Sequence, residues 1–89
     1  MNNQTIITLN FHNDGGHGWL ECGRELVTST DIADKISKYS YQRGDNVYLE
    51  EDCDMPLLLD ALRKRSIGVV VNDMYQDESP VREYARYTK

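Results

Sequence analysis

Apolar and polar residues alternate in the first patterned segment of the chain. In QTIITLNF, residues 4–11, Thr5, Ile7, Leu9 and Phe11 share one parity. Successive side chains of a strand point to opposite faces, so the pattern predicts a strand with one mostly apolar face. NDGG follows at residues 13–16, and its Asp-Gly and Gly-Gly steps tolerate the positive φ that tight hairpin turns require. HGWLECG, residues 17–23, reads as the return strand. Either Trp19 or Leu20 faces inward there, since a slip of one residue exchanges the faces.

Two later segments have helical spacing. In TSTDIADKISKY, residues 28–39, Ile32, Ala33 and Ile36 form one stripe, and Ser29 or Thr30 is placed to cap the start. Asp31 and Asp34 suit the first turn of such a helix, and Lys35 and Lys38 its end. The run EEDCDMPLLLDALRKRS, residues 50–66, is the clearer helix. Asp52 or Asp54 serves as its cap, and Pro56 sits near the first turn, where its missing N–H costs nothing. Leu58, Leu59 and Leu62 share a buried face, with Leu57 and Ala61 at its margins. Arg63, Lys64 and Arg65 crowd the end, where free carbonyls favour cations.

Between these helices, SYQRGDNVYLE alternates on both sides of Gly44-Asp45 and predicts a second hairpin. IGVVVNDMY, residues 67–75, is a strand whose continuous apolar run suits a central or doubly covered position. Residues 76–89 read either as a short helix opened by Ser79-Pro80 or as an extended tail that packs Tyr84 and Tyr87. The order ββαββαβ predicts one α+β domain over residues 1–89. Its architecture is a two-layer sandwich, with a mostly antiparallel sheet of four or five strands and two helices on one face.

Composition narrows the classes. The chain of 89 residues is 39% apolar and 28% charged, which suits one folded domain. No apolar run approaches the ~18 residues of a membrane span. The opening MNNQTIITLNF has no basic region or apolar core of the kind that directs export. The two cysteines, Cys22 and Cys53, are most simply free thiols in a cytoplasmic setting, although a pairing between them stays open. Fifteen acidic and ten basic residues give a net charge of −5. That balance disfavours direct binding to nucleic acid and suits a basic protein surface, including one that normally holds nucleic acid.

Three groups of residues are candidates for chemistry or recognition. His12, Asp14 and His17 form H-x-D-x-x-H in a glycine-rich loop, and such side chains can ligate a metal or move protons. The spacing matches no closed zinc signature, so the plainer reading is a polar hairpin turn. The glycines lack the Lys and Ser/Thr of a phosphate-binding loop. Glu50, Glu51, Asp52 and Asp54 form a dense acidic run that either compensates the second helix or docks on basic side chains of a partner. Asp73, Asp77 and Glu78 extend it if the last strand lies nearby. Six tyrosines complete the picture, among them Tyr48 and Tyr75, because tyrosine joins a large apolar body to a polar tip. No catalytic triad or cofactor motif is present in the sequence.

Taken together, HNDGGHGWLEC, YSYQRGDNVYLEEDCD and SPVREYARYT resemble a family of small tailed-bacteriophage proteins over nearly the whole chain. That family has a similar GHGWLEV-type hairpin, a YLEEDCD segment and an RxYARY ending, and Cys22 stands where its pattern has an apolar residue. The resemblance implies a viral accessory protein acting in the host cytoplasm and implies no reaction. The leading expectation is therefore a non-catalytic protein that modulates a host protein, such as a defence or nucleic-acid-handling protein. Its contact residues are expected to be Tyr48, Glu50, Glu51, Asp52, Asp54, Tyr75, Asp77 and Glu78. The alternatives are a metal protein or enzyme built on His12, Asp14 and His17, and a self-associating virion or assembly protein, with a homodimer open in either case.

Overall fold

The computed structural model describes residues 5–89. The strands are β1 (Thr5–Asn13), β2 (Gly18–Gly23), β3 (Tyr41–Arg43), β4 (Asn46–Glu50), β5 (Ile67–Tyr75) and β6 (Ala85–Arg86). The helices are α1 (Arg24–Ser29) and α2 (Met55–Lys64), and a 3₁₀ turn covers Pro80–Glu83. One six-stranded sheet runs in the order β5-β1-β2-β4-β3-β6. The fold is α+β as the pattern predicts, but the sheet is mixed and larger than expected, and the succession continues past β5 into the 3₁₀ turn and β6.

Both hairpins form where the turn residues place them. β1 pairs antiparallel with β2, and β3 with β4. Gly44 takes φ +58° in the second turn, a conformation that costs a side-chain-bearing residue more than glycine. Gly18 answers a different need. A Cβ there would lie 2.2 Å from Phe11 Cζ, so the missing side chain lets the Phe11 ring cover the neighbouring strand.

The ambiguity between Trp19 and Leu20 resolves in favour of both. Leu20 and Cys22 join Val47 and Leu49 on the face covered by α1 and α2, together with Val27, Leu58 and Leu62. Each aliphatic side chain removed from water here contributes about 1.5–3 kcal/mol. Trp19 points to the opposite face. There it packs with Tyr48 and Val81, and Tyr41 and Tyr84 flank them. The C-terminal segment thus roofs the β2-β4-β3 half of the second face. Ser79 opens the 3₁₀ turn by accepting from the Val81 N–H, and Tyr87 returns to the main core, its hydroxyl donating to the Ala33 carbonyl at 2.8 Å.

The first helix departs from its expected place at residues 28–39. It lies at Arg24–Ser29, and Ser29 and Thr30 end it. The Thr30 hydroxyl donates back to the Leu26 carbonyl at 2.7 Å, and Asp31 at φ 63° turns the chain out of the helix. Ile32, Ala33 and Ile36 still pack against the core from turns. Their spacing marks the inward positions without fixing the backbone between them.

α2 matches its expected limits, and its buried residues are Leu58, Ala61 and Leu62, with Leu59 half-buried. β5 does not occupy the central position that its valines suggest. It is an edge strand, parallel to β1 in register Ile7↔Val69 and Leu9↔Val71. Ile67 and Val69 pack on the core, while Val70 is 53% exposed and Val71 43%.

Candidate functional site

Strand alternation separates the histidine motif. His12 lies on the second face of the sheet, where its Nε2 is 2.7 Å from Glu21 Oε1 and its ring meets Tyr48 edge-on. Asp14 sits in the turn. Its carboxylate accepts the Gly16 and His17 backbone N–H groups and the Arg82 Nε–H, the last at 2.6 Å. Those bonds, with the Arg82 guanidinium foremost, hold the Asp14 carboxyl far below the usual range. His17 leans toward Trp19 with ring centroids 6.2 Å apart. The side chains of His12, Asp14 and His17 therefore meet different neighbours rather than one another. Among the described residues, no group of three or more His, Cys, Asp or Glu side chains is placed to hold a metal.

The acidic run divides in two. Asp54 is 1% exposed and accepts from Ser37 N–H, from Ser37 Oγ–H at 2.6 Å and from Ser40 Oγ–H at 2.5 Å. It fastens the 30–40 segment to the start of α2 and makes no side-chain cap bond there. Glu50 is buried, and its Oε1 accepts the Asp52 and Cys53 N–H groups, closing the turn before α2. Tyr48 is 5% exposed in the second cluster. Asp54 and Tyr48 turn away from the expected contact surface, because their side chains are committed inside the fold, whereas Glu50 lines the groove described below.

Glu51, Asp52, Tyr75, Asp77 and Glu78 remain exposed. Glu51 and Asp73 line one shallow hollow beside the β1–β2 turn, so the end of β5 does bring part of the acidic set together. The Tyr75 hydroxyl donates to Asp77 at 2.9 Å.

A groove of about 320 Å³ lies over the β2-β4-β3 half of the second face. Trp19 and Tyr41 line its inner side and meet edge to face at 5.9 Å. Arg82 lies over the Trp19 ring at 5.2 Å, and Arg86 over the Tyr41 ring at 4.8 Å. Such stacking of guanidinium on an aromatic face is attractive and keeps the ring wall ordered. Tyr39, 53% exposed, and Asp52 form part of the rim. The Trp19 indole N–H is buried and has no acceptor among the described residues.

Sequence reading missed this groove. Its parts come from β2, the 39–41 segment and the tail, and only the REYARY alternation of cations and aromatics hinted at it. Cys53 also lines the groove, and the neighbouring Glu50 carboxylate raises its thiol above the ordinary value. Cys22 is pushed up to about 12 by burial and by Glu21. Both cysteines are free.

Among the described residues, no helix is long and apolar enough to cross a membrane. No family model, curated protein or solved structure matches the chain.

Proposed function

We propose that this chain is a non-catalytic accessory protein of a bacteriophage that binds and modulates a host protein in the host cytoplasm, using the aromatic groove as its recognition site. One observation carries the reading: a groove walled by Trp19 and Tyr41, with Arg82 and Arg86 stacked on those rings. Tryptophan, tyrosine and arginine are the residues that dominate protein-binding hot spots. The groove offers flat rings with charged groups of both signs around them, Arg82 and Arg86 against Glu50 and Asp52, so it suits a partner segment that presents an apolar side chain flanked by polar groups. Asp52 at its rim and Glu51 beside it supply negative charge for basic residues of the same partner. A defence or nucleic-acid-handling protein fits that charge balance, given the net −5 of this chain.

The test is quantitative capture of host proteins by the tagged chain, followed by affinity measurement with the purified partner. Tyr39→Ala with Arg86→Ala should weaken that affinity about thirtyfold, as loss of a hot spot does, with the fold retained by circular dichroism. A partner bound equally well by the double variant moves recognition to another surface. Absence of any specific host partner defeats the reading itself.

A further inference from the structure

β5 is a nine-residue edge strand, and its outer side has no neighbouring strand among the described residues. The Gln76 N–H, just past its end, donates to the Asn13 carbonyl of β1 at 3.0 Å. Backbone groups of successive residues point to alternate sides of a strand, so the even-numbered residues of β5 bond to β1. Val69, Val71, Asp73 and Tyr75 therefore turn their N–H and C=O groups outward. Natural edges are protected by lysine, proline or a bulge. This one has none of those within Ile67–Tyr75, and Asp73 is its one charged residue. Val70 and Val71 along it, and Met74 at 41%, are exposed apolar side chains. Ile6, on the same face as Val70 and Met74, is 63% exposed.

We infer that β5 pairs with β5 of a second copy of this chain, antiparallel about a two-fold axis at Val71, to form one continuous twelve-stranded sheet from the six strands of each copy. The choice of a second copy rests on charge. Arg63, Lys64 and Arg65 stand at the start of β5, three cations against the two carboxylates that pair with them, Asp60 and Asp31, and Asp73, Asp77 and Glu78 stand at its end. Antiparallel self-pairing sets the basic end of each copy beside the acidic end of the other, twice per dimer. A parallel neighbour would juxtapose like charges. Centring on Val71 also satisfies the backbone. Val71 then exchanges two hydrogen bonds with its counterpart, and Val69 and Asp73 exchange two more on each side. Because the same edge serves both copies, the contact closes on itself and builds no fibre. The exposed strip of Ile6, Val70 and Met74 continues across the axis. The groove lies over the other half of the sheet and stays open, so this inference is independent of the proposed function.

Molar mass by light scattering across micromolar to millimolar chain is the readout. The wild-type chain should reach twice its 10.3 kDa mass. Val71→Pro deletes an outward N–H without touching the β1 ladder, and Val71→Lys places two like charges side by side. Each should raise the dissociation constant at least about tenfold. The decisive arm mixes two charge-swapped chains, one with Lys64→Glu and Arg65→Glu, the other with Asp77→Lys and Glu78→Lys. Each alone should be monomeric, and the mixture should dimerise. A wild-type chain that stays monomeric at millimolar concentration overturns the inference. So does a dimer that is indifferent to both Val71 variants, or a mixture that does not recover association.

Discussion

Arg82 bonds to the Asp14 carboxylate at 2.6 Å across 68 residues of sequence, and the same guanidinium lies over the Trp19 ring. One side chain thus ties the β1–β2 turn to the C-terminal 3₁₀ turn and roofs the tryptophan. The Asp14 side chain is only 5% exposed, against 45% for Arg82, so the carboxylate is fixed by its turn and the arginine comes to it. The wall of the groove therefore depends on a contact between the two ends of the chain.

Acid should release that contact. The folded Asp14 carboxyl titrates below its ordinary value of 3.8, so its stabilisation is complete above that value and is lost as pH falls through the folded value. At neutral pH, Asp14→Asn should melt at a lower temperature than wild type, and the gap should narrow as pH drops from about 4 to about 2. The chain's single tryptophan reports the same event by fluorescence. A gap that does not change with pH would remove the ion pair from the account.

The acidic run should divide by function when it is mutated. Asp54→Ala strands the Ser37 and Ser40 donors in a buried site and should cost about 3 kcal/mol in denaturant unfolding. Glu51→Ala and Asp52→Ala remove exposed carboxylates and should stay within about 0.5 kcal/mol of wild type. Equal costs at Asp54 and Glu51 would contradict the burial of the former.

Thiol chemistry should distinguish the two cysteines. Buried Cys22, with its thiol pushed up to about 12, should resist alkylation in the native protein, whereas exposed Cys53 should react slowly. Glu50 raises the Cys53 thiol. Glu50→Gln should therefore speed modification at neutral pH by increasing the thiolate fraction, even where it loosens the turn. A mass spectrum of the native protein after brief labelling should show one adduct, at Cys53, and a second only after denaturation. Rapid native labelling of Cys22 would mean the core opens readily.

Local signals in the sequence were strong where neighbouring residues alone determine the outcome. The Asp-Gly and Gly-Asp turns, the alternation of β1 and the Pro56 start and cationic end of α2 each reflect energies settled within a few residues. The 28–39 stripe was legible as inward-facing positions, but not as a chain path. Ile32 and Ile36 can reach the core from turns once Ser37 and Ser40 are held by Asp54. α1 gave little warning, because Gly23 precedes it and makes no side-chain cap bond.

The sequence by itself determined which residues seek the interior, where the hairpins reverse and how α2 begins and ends. Each of those follows from side-chain spacing and backbone preference. Only the tertiary structure decided that Trp19 and Leu20 are buried on opposite faces, that the valines of β5 lie at an edge, and that Asp54 and Tyr48 turn inward. It also assembled the groove from residues 19, 39, 41, 82 and 86. Strand order and side-chain partnership depend on contacts between distant segments, and their free energy exists only when both segments are in place.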